Sequence, residues 1–368
     1  MDYLRYYLAT LFMALGVAGF VLGGAWVWLG ASTFLLAVVL DLTAQKPDHA
    51  ARKVRYPALA DVPLYLHVAL LVALVAAAAW RVHASAAAGA PLGISGLAGV
   101  SVTLAWLCVL PNIPVAHELA HRKGALDRFL AFLCSVVIAE PSRRLAHLRG
   151  HHALVGLEDD ADTARRGESI YAFMVRAAVG GTRVAFETER ARLAKAGCSV
   201  WSWRSDVVRS IGATLAVIGA VLALAGPKAA LVIALGFGAA RFLLEGFNYL
   251  QHYGIVRASG TRYERRHTWS HLTPVVRAVA FEITNHAHHH MNPQTPFHAL
   301  EPDPGAPQMP SALLCFVSAL IPPLWTRLIA MPRLEDWDRR YATAEERALA
   351  ARANAAAGWP DWFAQEAD

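Results

Sequence analysis

The chain has 368 residues, of which 56% are hydrophobic and only 17% charged. Ordinary soluble domains sit nearer ~45–50% and ~25%, and disordered chains have the opposite bias, so both classes are excluded. The net charge of +6 is the kind of basic excess that collects in the cytoplasmic loops of membrane proteins, and these basic residues flank apolar runs, which argues against nucleic acid as a partner.

In chain order, the apolar runs predict an all-α integral membrane protein with about six transmembrane helices, near 8–24, 26–43, 62–81, 92–116, 207–225 and 229–247. Each is close to the ~20 residues that cross a bilayer. The first two form a hairpin turning at Gly23-Gly24, and the last two turn at Gly226-Pro227-Lys228. Pro111 and Pro114 are expected to kink the end of the fourth span. Residues 127–139 are apolar but short, which fits an interfacial or re-entrant helix, and 311–330 carry a double proline and are expected to associate with the membrane.

Residues 1–330 are expected to form the membrane-embedded domain and 331–368 a cytoplasmic helical tail, in which Thr343-Ala344-Glu345-Glu346 is a capping box. Fourteen Lys and Arg lie between 120 and 206. The positive-inside rule then puts both termini and both large polar segments in the cytoplasm, as in a multi-pass bacterial-type inner-membrane protein.

Four cysteines without a C-x-x-C pair exclude a disulfide framework, a zinc ribbon and a rubredoxin-type site. No G-x-G-x-x-G fingerprint offers a dinucleotide site either.

Histidine is the outlier, with sixteen copies. His117 and His121 share a helix face at i, i+4, as do His147 and His151, with His152 about 100° further round. His252 closes the sixth span, and His286, His289 and His290 repeat the two-sided pattern. Nine clustered imidazoles on one side of the membrane exceed the three or four that one zinc takes and fit two metals with open positions. Imidazole suits iron, copper, nickel or zinc, so ligand type does not choose among them. His67 and His83 read as interfacial side chains, and His49, His267, His271 and His298 as surface or supporting residues. A zinc protease built on His117-Glu118 and His121 leaves seven clustered histidines unexplained. A histidine-relay transporter would hold no metal.

These motifs, with the stretch from Asp160 to Tyr171 and the run from Ala306 to Trp325, resemble the membrane di-iron superfamily of desaturases and hydroxylases, and within it the alkane and xylene monooxygenases. The resemblance implies two iron ions held by His117, His121, His147, His151, His152, His252, His286, His289 and His290, with His288 an extra histidine. It implies O2-dependent hydroxylation of a methyl group on a hydrophobic substrate (an aromatic methyl, or a terminal alkane carbon), the alternative being lipid or fatty-acid desaturation at the same site. Gln251 stands where alkane monooxygenases carry Glu, which points to the xylene type. Glu118, Asp159, Asp160, Glu168 and Glu282 are candidates to accept imidazole N–H groups. Electrons are expected from a separate protein, an iron–sulfur flavoprotein reductase or a rubredoxin, docking on Arg143, Arg144, Arg149, Arg165 and Arg166.

Overall fold

A computed structural model describes residues 2–44, 46–140 and 154–363. Among them the architecture is helical, with no strand beyond one isolated bridge between Ser270 and Gln308. Six helical segments are long and apolar enough to cross a membrane: Asp2–Leu22, Gly24–Thr43, Pro57–Ala87, Ile94–His121, Asp206–Ala225 and Pro227–Gln251. They match the six expected spans in number and order. The third reaches five residues earlier and six later than the hydropathy edge, because the flanking segments 57–61 and 82–87 are rich in alanine and prolong the helix.

The first span holds α1 (Tyr7–Leu22) and the second α2 (Leu29–Thr43). Between them Gly23 and Gly24 take positive φ, at 76° and 56°, a conformation that glycine reaches without steric cost. A 3₁₀ turn over Gly24–Trp28 completes the hairpin. Its backbone is tied to α4 (Ile94–Leu107): the Thr103 hydroxyl donates to Val27 O at 2.9 Å and accepts from Ala31 N at 3.1 Å. Gly30 allows this fit, since a Cβ there would lie 2.4 Å from Thr103 Cγ2 and 2.9 Å from the Gly16 backbone. Small residues at such crossings let membrane helices approach closely.

The long α3 (Pro57–Ala87) packs on α1. The fourth span is interrupted at Cys108–Pro111 and resumes as α5 (Asn112–His121), which fits the break expected from Pro111. The amphipathic α6 (Ala125–Val136) runs beside it. Next come α7 (Ile170–Ala194), capped by the Ser169 hydroxyl, α8 (Asp206–Ala225), capped by Ser205, and α9 (Pro227–Gln251), opened by Pro227 at its first position. Helix α9 is the centre of the bundle, in contact with α3, α4, α7 and α8.

The remaining helices are short: α10 (Pro274–Val279), α11 (His286–Met291), α12 (Ala312–Ala319) and α13 (Pro322–Trp325). They cover one end of the bundle, followed by α14 (Met331–Arg340) and α15 (Ala344–Ala356). The capping box expected at the start of α15 is present, with Thr343 and Glu346 bonded reciprocally. Outward faces of the spans carry Leu11, Val39, Val72, Leu215 and Leu224, as lipid contact requires. Inside, His67 is no interfacial side chain: it is buried, with Nε2 3.1 Å from Asn112 Oδ1.

Candidate metal centre

The bundle end that holds the termini of the fourth and sixth spans gathers the histidines. His117 and His121 come from the last turns of α5, His252 follows α9 directly, and His286, His289 and His290 form half of α11. They divide into two trios, His117 with His121 and His289, and His252 with His286 and His290. Within each trio the ligand atoms lie within 4.8 Å of one another. In the first, ring centroids are 4.4–4.9 Å apart. In the second they are 4.5–5.2 Å apart. Helix α11 joins the two, because its i+3 and i+4 positions face different trios; the rings of His289 and His290 are 5.7 Å apart. His147, His151 and His152 lie outside the described residues, as do Arg143, Arg144 and Arg149.

The donor chemistry fits metal ions. His252 Nδ1 lies 3.1 Å from the His267 carbonyl, and His286 Nδ1 lies 3.3 Å from the Ile283 carbonyl. A carbonyl can only accept, so each ring carries its proton on Nδ1 and turns an Nε2 lone pair toward the shared centre. There His286 Nε2 and His290 Nε2 approach to 3.0 Å. That separation suits adjacent ligands at metal–imidazole distances of about 2.0–2.1 Å. His288 belongs to neither trio, and its Nδ1 accepts from Glu301 N at 2.9 Å.

Among the described residues, three of the carboxylates expected to orient imidazoles, Glu118, Glu168 and Glu282, bond to arginines. Glu118 accepts from Arg122 Nε and Phe297 N, at 3.0 and 3.1 Å. Glu168 accepts from Arg176 Nε at 2.8 Å. Glu282, fully buried, accepts from Arg52 Nε at 2.7 Å and Arg277 Nε at 2.5 Å. Asp159 is exposed, and Asp160 is buried and accepts from the Thr163 hydroxyl at 2.7 Å. At His252 and His286 the orienting acceptors are backbone carbonyls, which sequence spacing does not reveal. Of the two described arginines in the expected docking patch, Arg165 is exposed. Arg166 is buried instead, paired with Asp338 Oδ1 at 2.6 Å.

A cavity of about 490 Å³ reaches the centre, lined by His117, His121 and His286 at that end. Its walls are mainly apolar, with Leu110, Ile113, Phe132, Leu244, Phe247 and Leu313. Arg128, Asp206 and Arg209 line it as well, between α6 and α8. His271 and Gln251 also line it. His271 is buried, with Nδ1 2.7 Å from the Pro310 carbonyl. Burial pushes its imidazole down to about 4, against the pull of that carbonyl, so it stays neutral. His267 is buried too, so of the two places expected for it the surface one is excluded, while its carbonyl supports His252.

Residues 92–302 match the family described as fatty acid desaturase. The xylene/toluene monooxygenase hydroxylase component XylM of Pseudomonas putida is 42% identical over 367 residues, covering 100% of this chain and 98% of that protein. An alkane 1-monooxygenase of Ectopseudomonas oleovorans is 30% identical over 84% of this chain and 77% of its own length. Another, from Alcanivorax borkumensis, is 26% identical over 84% of this chain and 76% of its own.

Proposed function

The chain belongs to the fatty acid desaturase family, and we propose that its two histidine trios hold a pair of iron ions. It is a membrane monooxygenase that hydroxylates a methyl or terminal carbon of a hydrophobic substrate with O2. Our reading of the ligand set is His117, His121, His147, His151, His152, His252, His286, His289 and His290. The observation that carries it is the division of six of these into two trios bridged by one short helix. One zinc would leave most of these imidazoles without a role.

Iron, when bound, supplies the activation of O2 by electrons delivered from outside. The protein's own contribution is geometry and environment. Nδ1–H bonds to the carbonyls of His267 and Ile283 fix the tautomers of His252 and His286. The apolar wall from Leu110 to Phe247 keeps bulk water from the reacting carbon and holds a hydrocarbon by dispersion and burial. The apolar cavity admits a methylarene such as toluene, xylene or cymene, and Gln251 in its wall and the relatedness to XylM favour that class. Electrons come from a separate protein, an iron–sulfur flavoprotein reductase or a rubredoxin, the chain itself carrying no cysteine pair for such a site.

We further assign residues 1–330 to the membrane-embedded hydroxylase and 331–368 to a tail on the cytoplasmic side, with both termini and the metal centre on that side. Fourteen basic residues between 120 and 206 support this orientation.

The test is to purify the protein, measure its metal, and supply toluene, xylene, cymene and octane together with an electron donor. We expect two irons per chain and a benzylic alcohol as the first product. His286→Ala should drop turnover to background while the protein still inserts in the membrane. One zinc per chain, or an alkene as product, would refute the reading.

A further inference from the structure

The 3₁₀ turn Arg265–His267 stands between the second trio and the C-terminal helices. On one side the carbonyl of His267 accepts from His252 Nδ1. On the other, α14 and α15 grip the turn at three points. Glu346 Oε1 lies 2.7 Å from His267 Nε2, with both side chains fully buried. Glu346 Oε2 accepts from Arg266 Nε at 3.0 Å. Trp337 Nε1 donates to the Arg266 carbonyl at 2.6 Å.

The protonation pattern of His267 is fixed at both nitrogens. Glu264 N–H donates to its Nδ1 at 2.9 Å, so Nδ1 is bare, and the proton sits on Nε2, where only an acceptor satisfies it. Glu346 is that acceptor. Its own rotamer is held by the capping box, in which Thr343 N donates to Glu346 Oε2 at 2.9 Å. A chain of buried hydrogen bonds therefore runs from the start of α15 through the turn to His252.

We infer that Glu346 is a positioning residue of the second metal position, acting through the His267 backbone carbonyl on His252, so that the C-terminal tail completes the metal centre. The inference rests on the two-metal reading above. Outer partners that orient a metal-bound imidazole are typically worth about 10–100-fold in metal affinity. The turn reaches the ligands through His252, a member of the second trio, so the first position should be the less affected.

Metal-free full-length protein is titrated with cobalt(II) alone, and stoichiometry and ligand-field spectrum are read. Wild type should take two cobalt ions per chain. Glu346→Ala should keep the first and weaken the second about tenfold or more. Glu346→Gln, which leaves a neutral acceptor for His267 Nε2–H, should recover part of the loss. Trp337→Phe removes the bond to Arg266 O and should shift the second site the same way. Asp338→Asn serves as the comparison: it weakens the buried pair with Arg166 that docks the tail but removes none of the three contacts to the turn, and should weaken the second site less than Glu346→Ala does. Glu346→Ala with two wild-type sites would overturn the inference while leaving the two-metal reading standing. Equal losses in Asp338→Asn and Glu346→Ala would also overturn it, by making the tail a general scaffold. Fewer than two cobalt ions on wild type would remove the two-metal reading and the inference with it.

Discussion

Glu282 illustrates how single residues hold the site. It sits four residues before His286 with φ at 57°, next to Phe281 at 48°. Left-handed backbone at two successive non-glycine residues costs energy and persists only where the surroundings over-determine it. Here they do: the Glu282 carboxylate accepts from Arg52, Arg277, the Tyr6 hydroxyl and Asn285 Nδ2. Asp48 shares Arg52 and Arg277. This network ties the N-terminus, the loop after α2 and the approach to α11 into one knot. Neutralising one member of a buried charge network leaves its partners uncompensated, at about 3–5 kcal/mol. Glu282→Gln should therefore lower the thermal midpoint in detergent markedly, with metal lost in step with unfolding. An unchanged midpoint in a scanning fluorimetry series would contradict this account.

At the scale of elements, the centre depends on where helices stop. The fourth span breaks at Cys108–Pro111 and restarts, so α5 presents His117 and His121 on one face at its final turns. Helix α9 ends at Gln251, and the next residue, His252, belongs to the second trio. Helix α11 is six residues long, and its length suffices to serve both trios. Helix α6 divides its faces: Phe129 and Phe132 line the cavity that reaches the trios, whereas Leu133 and Val136, with Val137 just past its end, line a second, almost wholly apolar groove against α3 and α8. Substrate size should then be set from α6 and α9. Phe132→Ala should raise kcat/KM for octane relative to toluene by about tenfold, since one methylene in an apolar pocket is worth about 1–3 kcal/mol. Competition assays with the two hydrocarbons together measure that ratio, and an unmoved ratio would take Phe132 out of the pocket wall.

For the whole molecule, the question is what joins the membrane bundle to its tail. Arg166, Asp338 and Asn354 form one buried contact, with Arg166 donating to Asn354 Oδ1 at 2.8 Å as well as to Asp338. Glu346 forms the other. Burial raises its pKa, but bonds from His267, Thr343 N and Arg266 outweigh this and hold it at about 2, below the ordinary 4.5. A depressed carboxyl contributes its stability above the unfolded pKa and loses it as pH falls toward the folded one. Tail docking should thus be constant from pH 7 to about 5 and fail between about 4.5 and 2. Trp337 fluorescence in a pH titration reports this, and full release by pH 5 would oppose it. Partner docking is a separate matter of surface charge. Raising salt should raise the apparent KM for the electron donor, because screening weakens encounter between exposed charges.

Much of the protein is legible in its sequence because hydrophobic length is a local property. Six apolar runs dictate six spans, whatever their neighbours, since every backbone polar group in lipid must be satisfied inside its own helix. The i, i+4 pairs His117/His121 and His286/His290 are equally local, being fixed by the helical repeat. What orients them is not. The acceptor for His252 is the carbonyl of a residue fifteen positions away, and the clamp on that residue comes from Glu346, seventy-nine positions further on. No periodicity marks such bonds, which is why Glu118, Glu168 and Glu282 look like imidazole partners in the sequence and turn to arginines in the fold. Arg166 looks like surface charge for the same reason. The amino-acid order by itself determined the membrane class, the span count and the histidines that could meet a metal. Only the tertiary structure decided how six of them group into trios, which carbonyls orient His252 and His286, and that the last helices pack on the turn behind His252, because hydrogen-bond partners are chosen by proximity in space, and proximity between distant segments is created only when the chain packs.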